Sequence, residues 1–390
     1  MFSLRGVPQF TNYNPAFVPQ HKFVFGLPSV HASYSNNGFA YNDVFTKQGD
    51  STIIDLNKLQ SRLAKRNYIN IATDVEVFRL GFKVSPRLYT NFSVGAKAFA
   101  RVMLPKDLTT LFIDGTAEFV NGTATLAPEV EAFSYIEAAL GGSYVVNKKL
   151  TVGARFKLLK GAVNGTTDDT KLTLSLNEDY AMTVRAQMDV RSSGIQSATD
   201  SDFDPKLKDY LKNNGFAIDL GGTYKLTDKL MVGASLIDIG GINWKNDNYA
   251  YTLNPDSASY TFSGIDVNKL IENENYLEDE LDSVANNFEP KEGAMGSYRT
   301  PLPTKMYLTA QYELGRKFTS SGVFFLEKFR SRFYPGFSLA LHKDVGRIAG
   351  LSLSYTAANR DYTNLGFAFN LNLTILQIYV ASDNLLGAPL

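Results

Sequence analysis

The stretch LTVGARFKL, Leu150 to Leu158, alternates without a break. Leu150, Val152, Ala154, Phe156 and Leu158 fall on one side of an extended chain, and Thr151, Gly153, Arg155 and Lys157 fall on the other. Such a segment is a strand with one apolar and one polar face. Thr183 to Val190 repeats the pattern, with Val184, Ala186, Met188 and Val190 opposite Thr183, Arg185, Gln187 and Asp189. It returns in Phe92–Arg101, Phe216–Leu226, Leu230–Leu236, Met306–Leu314, Leu351–Thr356 and Leu365–Leu371. With their flanking residues the strands that hold these runs are about nine to fourteen residues long, longer than strands of soluble proteins and matched to a tilted strand that crosses a bilayer.

The connections alternate as the strands do. Tight links stand at Ser85–Arg87, Asn147–Lys149, Thr227–Lys229, Leu314–Lys317, Asp344–Gly346 and Asn370–Asn372, while longer polar excursions fall near residues 104–128, 192–213, 266–302 and 359–362. Short turns at one end and long loops at the other are the construction of an outer-membrane barrel. The fold class expected is therefore all-β: a transmembrane antiparallel β-barrel of 14 to 16 strands with an N-terminal hatch segment and long extracellular loops. Two loops read as partly helical, Asp55–Arg66 with Leu56, Leu59 and Leu63 at helical spacing, and Val267–Ala285 with Leu270, Leu277 and Leu281. The acidic run from Glu272 to Asp282 within the second is the loop best suited to meet a protein partner.

Composition narrows the chemistry. Lysine plus arginine and aspartate plus glutamate both number 39, so no basic footprint calls for nucleic acid. The absence of cysteine removes disulfides, thiolate metal sites and thiol nucleophiles together. Three histidines, His21, His31 and His342, are never paired at helical spacing, so neither a metal nor a cofactor is expected. No Gly-x-Ser-x-Gly occurs, Gly221-Gly222 and Gly240-Gly241 belong to strands, and no Ser/His or Asp/His constellation is visible. The expected protein is not an enzyme. No apolar stretch reaches 18 residues, which excludes a transmembrane helix but not a barrel.

The two ends differ from the middle. MFSLRGVPQFTNYNPAFVPQ does not alternate, holds three prolines, and has no apolar signal core. Residues 1–21 are expected to form a hatch tucked into the lumen, where side chains and water can satisfy irregular backbone, and residues 22–390 the barrel. Counting from Phe23–Tyr34 to Ile375–Ala381 gives fifteen strands, an odd number that cannot close an antiparallel barrel with both termini on one side. A closing strand beyond Leu390, or a count of fourteen, resolves the parity. Inward-facing polar candidates are Lys97, Arg101, Arg155, Lys157, Arg185 and Asp189, a row that could meet an anionic head group or simply line a polar lumen.

Asn14-Pro15-Ala16 and SLIDIGGINW at Ser235–Trp244, read with GVPQ, NPAF, GLPSV and NNGFAYND along the N-terminal part, resemble the FadL-like outer-membrane proteins. The PorV-like branch that serves protein secretion in the Bacteroidota is included, and the closest likeness is to an uncharacterised Bacteroidota family of such barrels. The resemblance implies about fourteen strands, a hatch carrying the Asn14, Pro15, Ala16 motif, export to the bacterial outer membrane by a signal peptide, and a final strand after a motif like Ser382-Asp383-Asn384. The chain departs from fatty-acid transporters in lacking a long apolar hatch. Besides outer-membrane lipid, other envelope proteins in a multi-subunit complex are expected as partners. The function expected is an accessory or scaffold subunit of such a complex, in protein secretion or outer-membrane protein assembly; the alternative is FadL-type transport of small hydrophobic molecules.

Overall fold

The computed structural model describes residues 7–37, 44–48, 51–196, 212–256, 258–264, 275–330, 332–346, 348–358, 361–373 and 377–383. The wall begins with β1 (Phe23–Gly26) and β2 (Ser29–Asn36), which follow one another along β3 (Arg66–Lys83) and so count as one ribbon. It continues through β4 (Leu88–Pro105), β5 (Glu129–Val145), β6 (Leu150–Thr167), β7 (Asn213–Lys225), β8 (Leu230–Trp244), β9 (Thr304–Gly315) and β10 (Phe318–Phe329). It ends with β11 (Arg332–Val345), β12 (Ala349–Ala358), β13 (Asp361–Asn372) and β14 (Gln377–Ser382). Each ribbon pairs antiparallel with the next along this order.

Side chains close the short turns from within. Ser85 Oγ accepts from Arg87 and Leu88 N–H, Asn147 Oδ1 from Lys149 and Leu150 N–H, and Thr227 Oγ1 from Lys229 and Leu230 N–H. These are the Asx and ST turns that such residues favour.

The sheet is rolled. Arg101 of β4 and Glu327 of β10 lie six ribbons apart along the sheet, yet their side chains meet at 2.6 Å. Its polarity is inverted relative to a water-soluble protein: Phe156 and Leu158 are 48% and 56% exposed, while Arg155 and Lys157 between and beside them are 2% and 1% exposed. Phe82, Leu140, Leu220, Leu308, Leu339 and Leu353 continue the exposed apolar band around the outside. Each such side chain left in water forgoes about 1.5–3 kcal/mol, so the band belongs in hydrocarbon. Among the described residues no helix is long and apolar enough to cross a membrane; strands do the spanning.

Thr183–Val190 is not in the wall, although it alternates as wall strands do. It belongs to Met182–Ser193, which pairs with the end of β6 from Val190 onward and with Asn248–Leu253 from Met188 onward, and through its first half joins a small sheet at the long-loop end. Its other face serves a separate apolar cluster around Phe119, Ala124, Leu126, Leu174 and Leu176. Period two marks any half-buried strand, so alternation alone does not separate a loop-end strand from the wall.

The described wall has thirteen ribbons. β2 and β14 both run from the short-turn end towards the long loops, and no described strand joins them; Tyr379 of β14 reaches Ser29 of β2 by its side chain. The closing strand expected after Leu390 lies outside the described residues.

The first helical loop forms α1 (Leu56–Arg62), capped by Asp55, whose carboxylate accepts from Lys58 N–H at 2.9 Å. It rests on α2 (Lys106–Asp114) through Gln60 and Thr110. In the second, α3 (Tyr276–Asn287) covers the later part of the expected segment, and residues 265–274 lie outside the described residues.

Candidate functional site

The interior is layered, and the lowest layer is the hatch. A short 3-10 turn, Pro8–Asn12, leads into Tyr13 and the Asn14-Pro15-Ala16 motif. Asn14 Oδ1 accepts from Ala16 N–H at 2.9 Å and Asn14 Nδ2 donates to Gly222 C=O at 3.3 Å, so one buried side chain both folds the hatch and anchors it to β7. Ser143 Oγ donates to Pro15 C=O at 2.6 Å, and Ser235 Oγ donates to Tyr13 C=O at 2.6 Å. Close approach needs Gly153 and Gly221: a Cβ at the first would run into the Pro15 carbonyl, and one at the second into the Asn14 amide.

Above the hatch lies an ionic layer. Arg79 Nη2 and Arg155 Nη1 both donate to Asn12 Oδ1, at 2.6 and 2.7 Å, and clamp it between two guanidiniums. Arg79 also donates to Thr11 Oγ1 at 2.6 Å and pairs with Glu76 at 2.5 Å. Lys157 Nζ lies 2.5 Å from Asp238 Oδ1 and 2.8 Å from Asp219 Oδ2, and Lys97 Nζ lies 2.9 Å from Glu137 Oε2. Arg79, Lys97, Arg155 and Lys157 face Glu76, Glu137, Asp219 and Asp238, so the layer cancels its own charge. Such neutrality offers no excess cation for an anionic head group, one of the two uses expected of this row.

Two bulges assemble the layer. In β8 the register slips between Ile218/Leu220 pairings, and Asp238 adopts φ 61°, with its N–H donating to Asp219 Oδ1 at 2.8 Å. In β3 a slip between Glu76 and Phe78 brings Arg79 onto the same face as Glu76. A bulge adds one residue and re-aims the side chains after it.

The third layer is aromatic. Phe99, Phe133, Tyr135, Trp244, Phe329 and Tyr334 pack with Leu159, Ile242 and Leu302 on the long-loop side of the ions. Phe99 and Phe133 lie 5.2 Å apart between ring centres, Phe99 and Phe329 5.4 Å. Trp244 is fully buried and its Nε1 donates to Thr300 Oγ1 at 3.0 Å. Arg101 enters this layer as a flat cation, 4.0 Å above the Tyr334 ring and 5.1 and 5.4 Å from Phe99 and Phe329. It donates through Nε to Asn70 and through Nη2 to Glu327.

A cavity of about 540 Å³ opens over this layer, lined by Asn37, Tyr68, Arg332, Phe333, Tyr334, Pro335, Ala357, Ala358 and Tyr362. Tyr334 belongs both to its wall and to the aromatic layer, and meets Tyr68 edge-on at 5.8 Å. Arg332 donates to the Tyr68 hydroxyl at 3.0 Å and pairs with Glu129 at 2.9 Å.

Of the lumen residues expected from alternation, Lys97, Arg101, Arg155 and Lys157 are brought together inside. Arg185 and Asp189 are not. Arg185 is exposed in the loop-end sheet opposite Thr173 and Ser259, and Asp189 pairs with Arg191 at 3.1 Å there, because their strand lies beyond the wall. The carboxylates of the ionic layer were missed. Asp219, the one carboxylate on the inner face of Phe216–Leu226, carries a readable signal; Asp238, in phase with the outward Leu236, does not.

One constellation read as missing is present. His342 Nδ1 lies 2.8 Å from Ser352 Oγ and its Nε2 lies 3.1 Å from Asp344 Oδ1. The strand register sets His342 directly opposite Ser352 on β12, while Asp344 follows two residues later on β11; none of this shows in sequence spacing. The order around the ring is the reverse of a serine hydrolase, and Ser352 is buried in the wall, so the contacts serve to satisfy a buried imidazole. Among the described residues no group of three or more His, Cys, Asp or Glu could hold a metal ion.

The family model described as a family of unknown function, DUF5723, matches residues 15–383. No curated protein matches the chain. Among solved structures, the Pseudomonas putida toluene transporter TodX is similar at 13% identity, over 97% of this chain and 88% of its own, with a TM-score of 0.44. The Ralstonia pickettii toluene transporter TbuX is similar at 10% identity over 87% and 73%, with a TM-score of 0.38. The CymD monoaromatic hydrocarbon channel is similar at 10% identity over 91% and 89%, with a TM-score of 0.36.

Proposed function

The chain belongs to DUF5723, a family of unknown function, and we propose that it is a non-enzymatic β-barrel of the bacterial outer membrane that admits small apolar molecules to an aromatic interior. One observation carries the reading: the 540 Å³ cavity at the long-loop end shares Tyr334 with a continuous aromatic layer in the lumen. A cavity that size accommodates a molecule of one or two rings, and its apolar lining gives such a molecule better surroundings than water. Below the aromatic layer the ions and the hatch block the way, so onward passage requires the hatch to shift. Sequence alone favoured the scaffold reading. The aromatic interior favours the transport alternative, because a barrel that offers only its outer wall has no use for a cavity of this lining.

The test is uptake of a radiolabelled small arene by intact cells that make the chain. Uptake above that of control cells, reduced by Tyr334→Arg with surface level unchanged, supports the proposal. Uptake equal to the control overturns it.

A second reading keeps one specific observation. Residues 7–17 are fixed to four neighbouring wall strands by Ser143, Gly153, Gly221 and Ser235, a packing that suits a permanently plugged scaffold subunit of an envelope complex. Recovery of stoichiometric envelope proteins with the chain from native membranes in mild detergent would favour that reading.

A further inference from the structure

Beside the aromatic layer two polar atoms on directly opposed residues of neighbouring strands are buried without a partner among the described residues. Arg101 uses Nε on Asn70 and Nη2 on Glu327, and its Nη1 has no partner among the described residues although the side chain is 8% exposed. Glu131 uses Oε1 on Arg330 at 2.6 Å, and its Oε2 is likewise buried without a partner. The register of β4 with β5 sets Arg101 directly opposite Glu131. One free donor and one free acceptor therefore stand across a single strand pair, beside Phe99, Phe133, Phe329 and Tyr334. Leaving such atoms unpaired is costly, and native interiors rarely do so without a ligand or water.

The chemistry of the missing partner follows. A carboxylate or phosphate could accept from Arg101 but would face the Glu131 and Glu327 carboxylates, and Arg101 is already neutralised by Glu327 at 2.6 Å. A cation could suit Glu131 but would meet Arg101. A neutral hydroxyl accepts from one and donates to the other. We propose that the aromatic layer selects an apolar molecule carrying one neutral hydroxyl, such as a phenol, held between Arg101 Nη1 and Glu131 Oε2. It arrives from the cavity past Tyr334, whose ring covers the Arg101 guanidinium at 4.0 Å. This rests on the transport reading and adds a substrate class to it.

Trp244, the single tryptophan, lies in the same cluster and reports binding by its fluorescence. The purified full chain in detergent is titrated with toluene, 4-methylanisole, p-cresol and p-toluate. These have similar rings and offer no hydrogen-bonding group, an acceptor alone, an acceptor with a donor, and an anion. p-Cresol is expected to bind roughly tenfold tighter than toluene, with 4-methylanisole between them and p-toluate weakest. Arg101→Lys keeps a cation beside Glu327 and removes Nη1; a barrel that still unfolds at the wild-type temperature should bind p-cresol no tighter than it binds toluene. Equal binding of toluene and p-cresol, as when a bridging water already fills the gap, overturns the inference and leaves the transport reading standing. Preference for p-toluate, or a p-cresol preference that survives in Arg101→Lys, also overturns the inference. Binding of none of the four overturns both.

Discussion

Asp238 presents its carboxylate to Lys157 at 2.5 Å from a left-handed backbone position in the middle of a membrane-facing strand. A non-glycine residue at φ 61° costs on the order of 1 kcal/mol, and the strand accepts it because the bulge turns Asp238 from the lipid side to the lumen. The ion pair holds the bulge in place.

Removing Lys157 should therefore be far worse than removing the pair. Lys157→Met leaves Asp219 and Asp238 buried without their nearest cation, a loss of about 3–5 kcal/mol, and Lys157→Met with Asp238→Asn, which keeps the layer neutral, should recover most of it. Urea unfolding of the three proteins in lipid vesicles measures this. A single variant as stable as wild type would show the layer to be hydrated.

The wall was readable in the sequence wherever alternation ran unbroken, as in Leu150–Leu158. Lys97, Arg101, Arg155 and Lys157 fall inside for that reason. What could not be read came from breaks in the period and from partners distant in sequence. Glu76 with Arg79, and Asp238, depend on bulges that shift phase by one residue. Arg185 and Asp189 obey the period but in a strand placed beyond the barrel, and periodicity does not say which sheet a strand joins. The His342–Ser352 contact is a matter of register alone.

The hatch should be released by filling its cradle. Gly153→Val places a branched side chain where the Pro15 carbonyl lies, which packing cannot absorb. With no native cysteine, Phe10→Cys gives a single label site on a buried hatch residue. Maleimide labelling of Phe10→Cys should be slow in the wild-type background and at least tenfold faster with Gly153→Val. Equal rates would mean that the hatch already leaves freely.

The outer band should behave as a lipid surface. Leu140, 62% exposed, would tolerate arginine if it faced water, whereas in the bilayer Leu140→Arg should cost about 2–4 kcal/mol near mid-membrane. Comparing unfolding of Leu140→Arg with that of Lys148→Glu in a short turn separates the two cases. A Leu140→Arg barrel of unchanged stability contradicts the lipid-facing assignment.

Trp244 should emit as a buried indole. It is fully enclosed with its N–H satisfied by Thr300, so its emission is expected blue-shifted and resistant to iodide until the barrel unfolds. Emission of a water-exposed indole in the folded barrel would remove the aromatic layer from the lumen.

The central claim is that a small apolar molecule occupies the interior from the long-loop end. Crystals of the chain soaked with iodobenzene test it most directly, because anomalous scattering locates iodine without reference to the ring. The expected result is an iodine peak in the cavity lined by Tyr68, Tyr334 and Tyr362. Iodine confined to the outer lipid band, with none in that cavity, would contradict it.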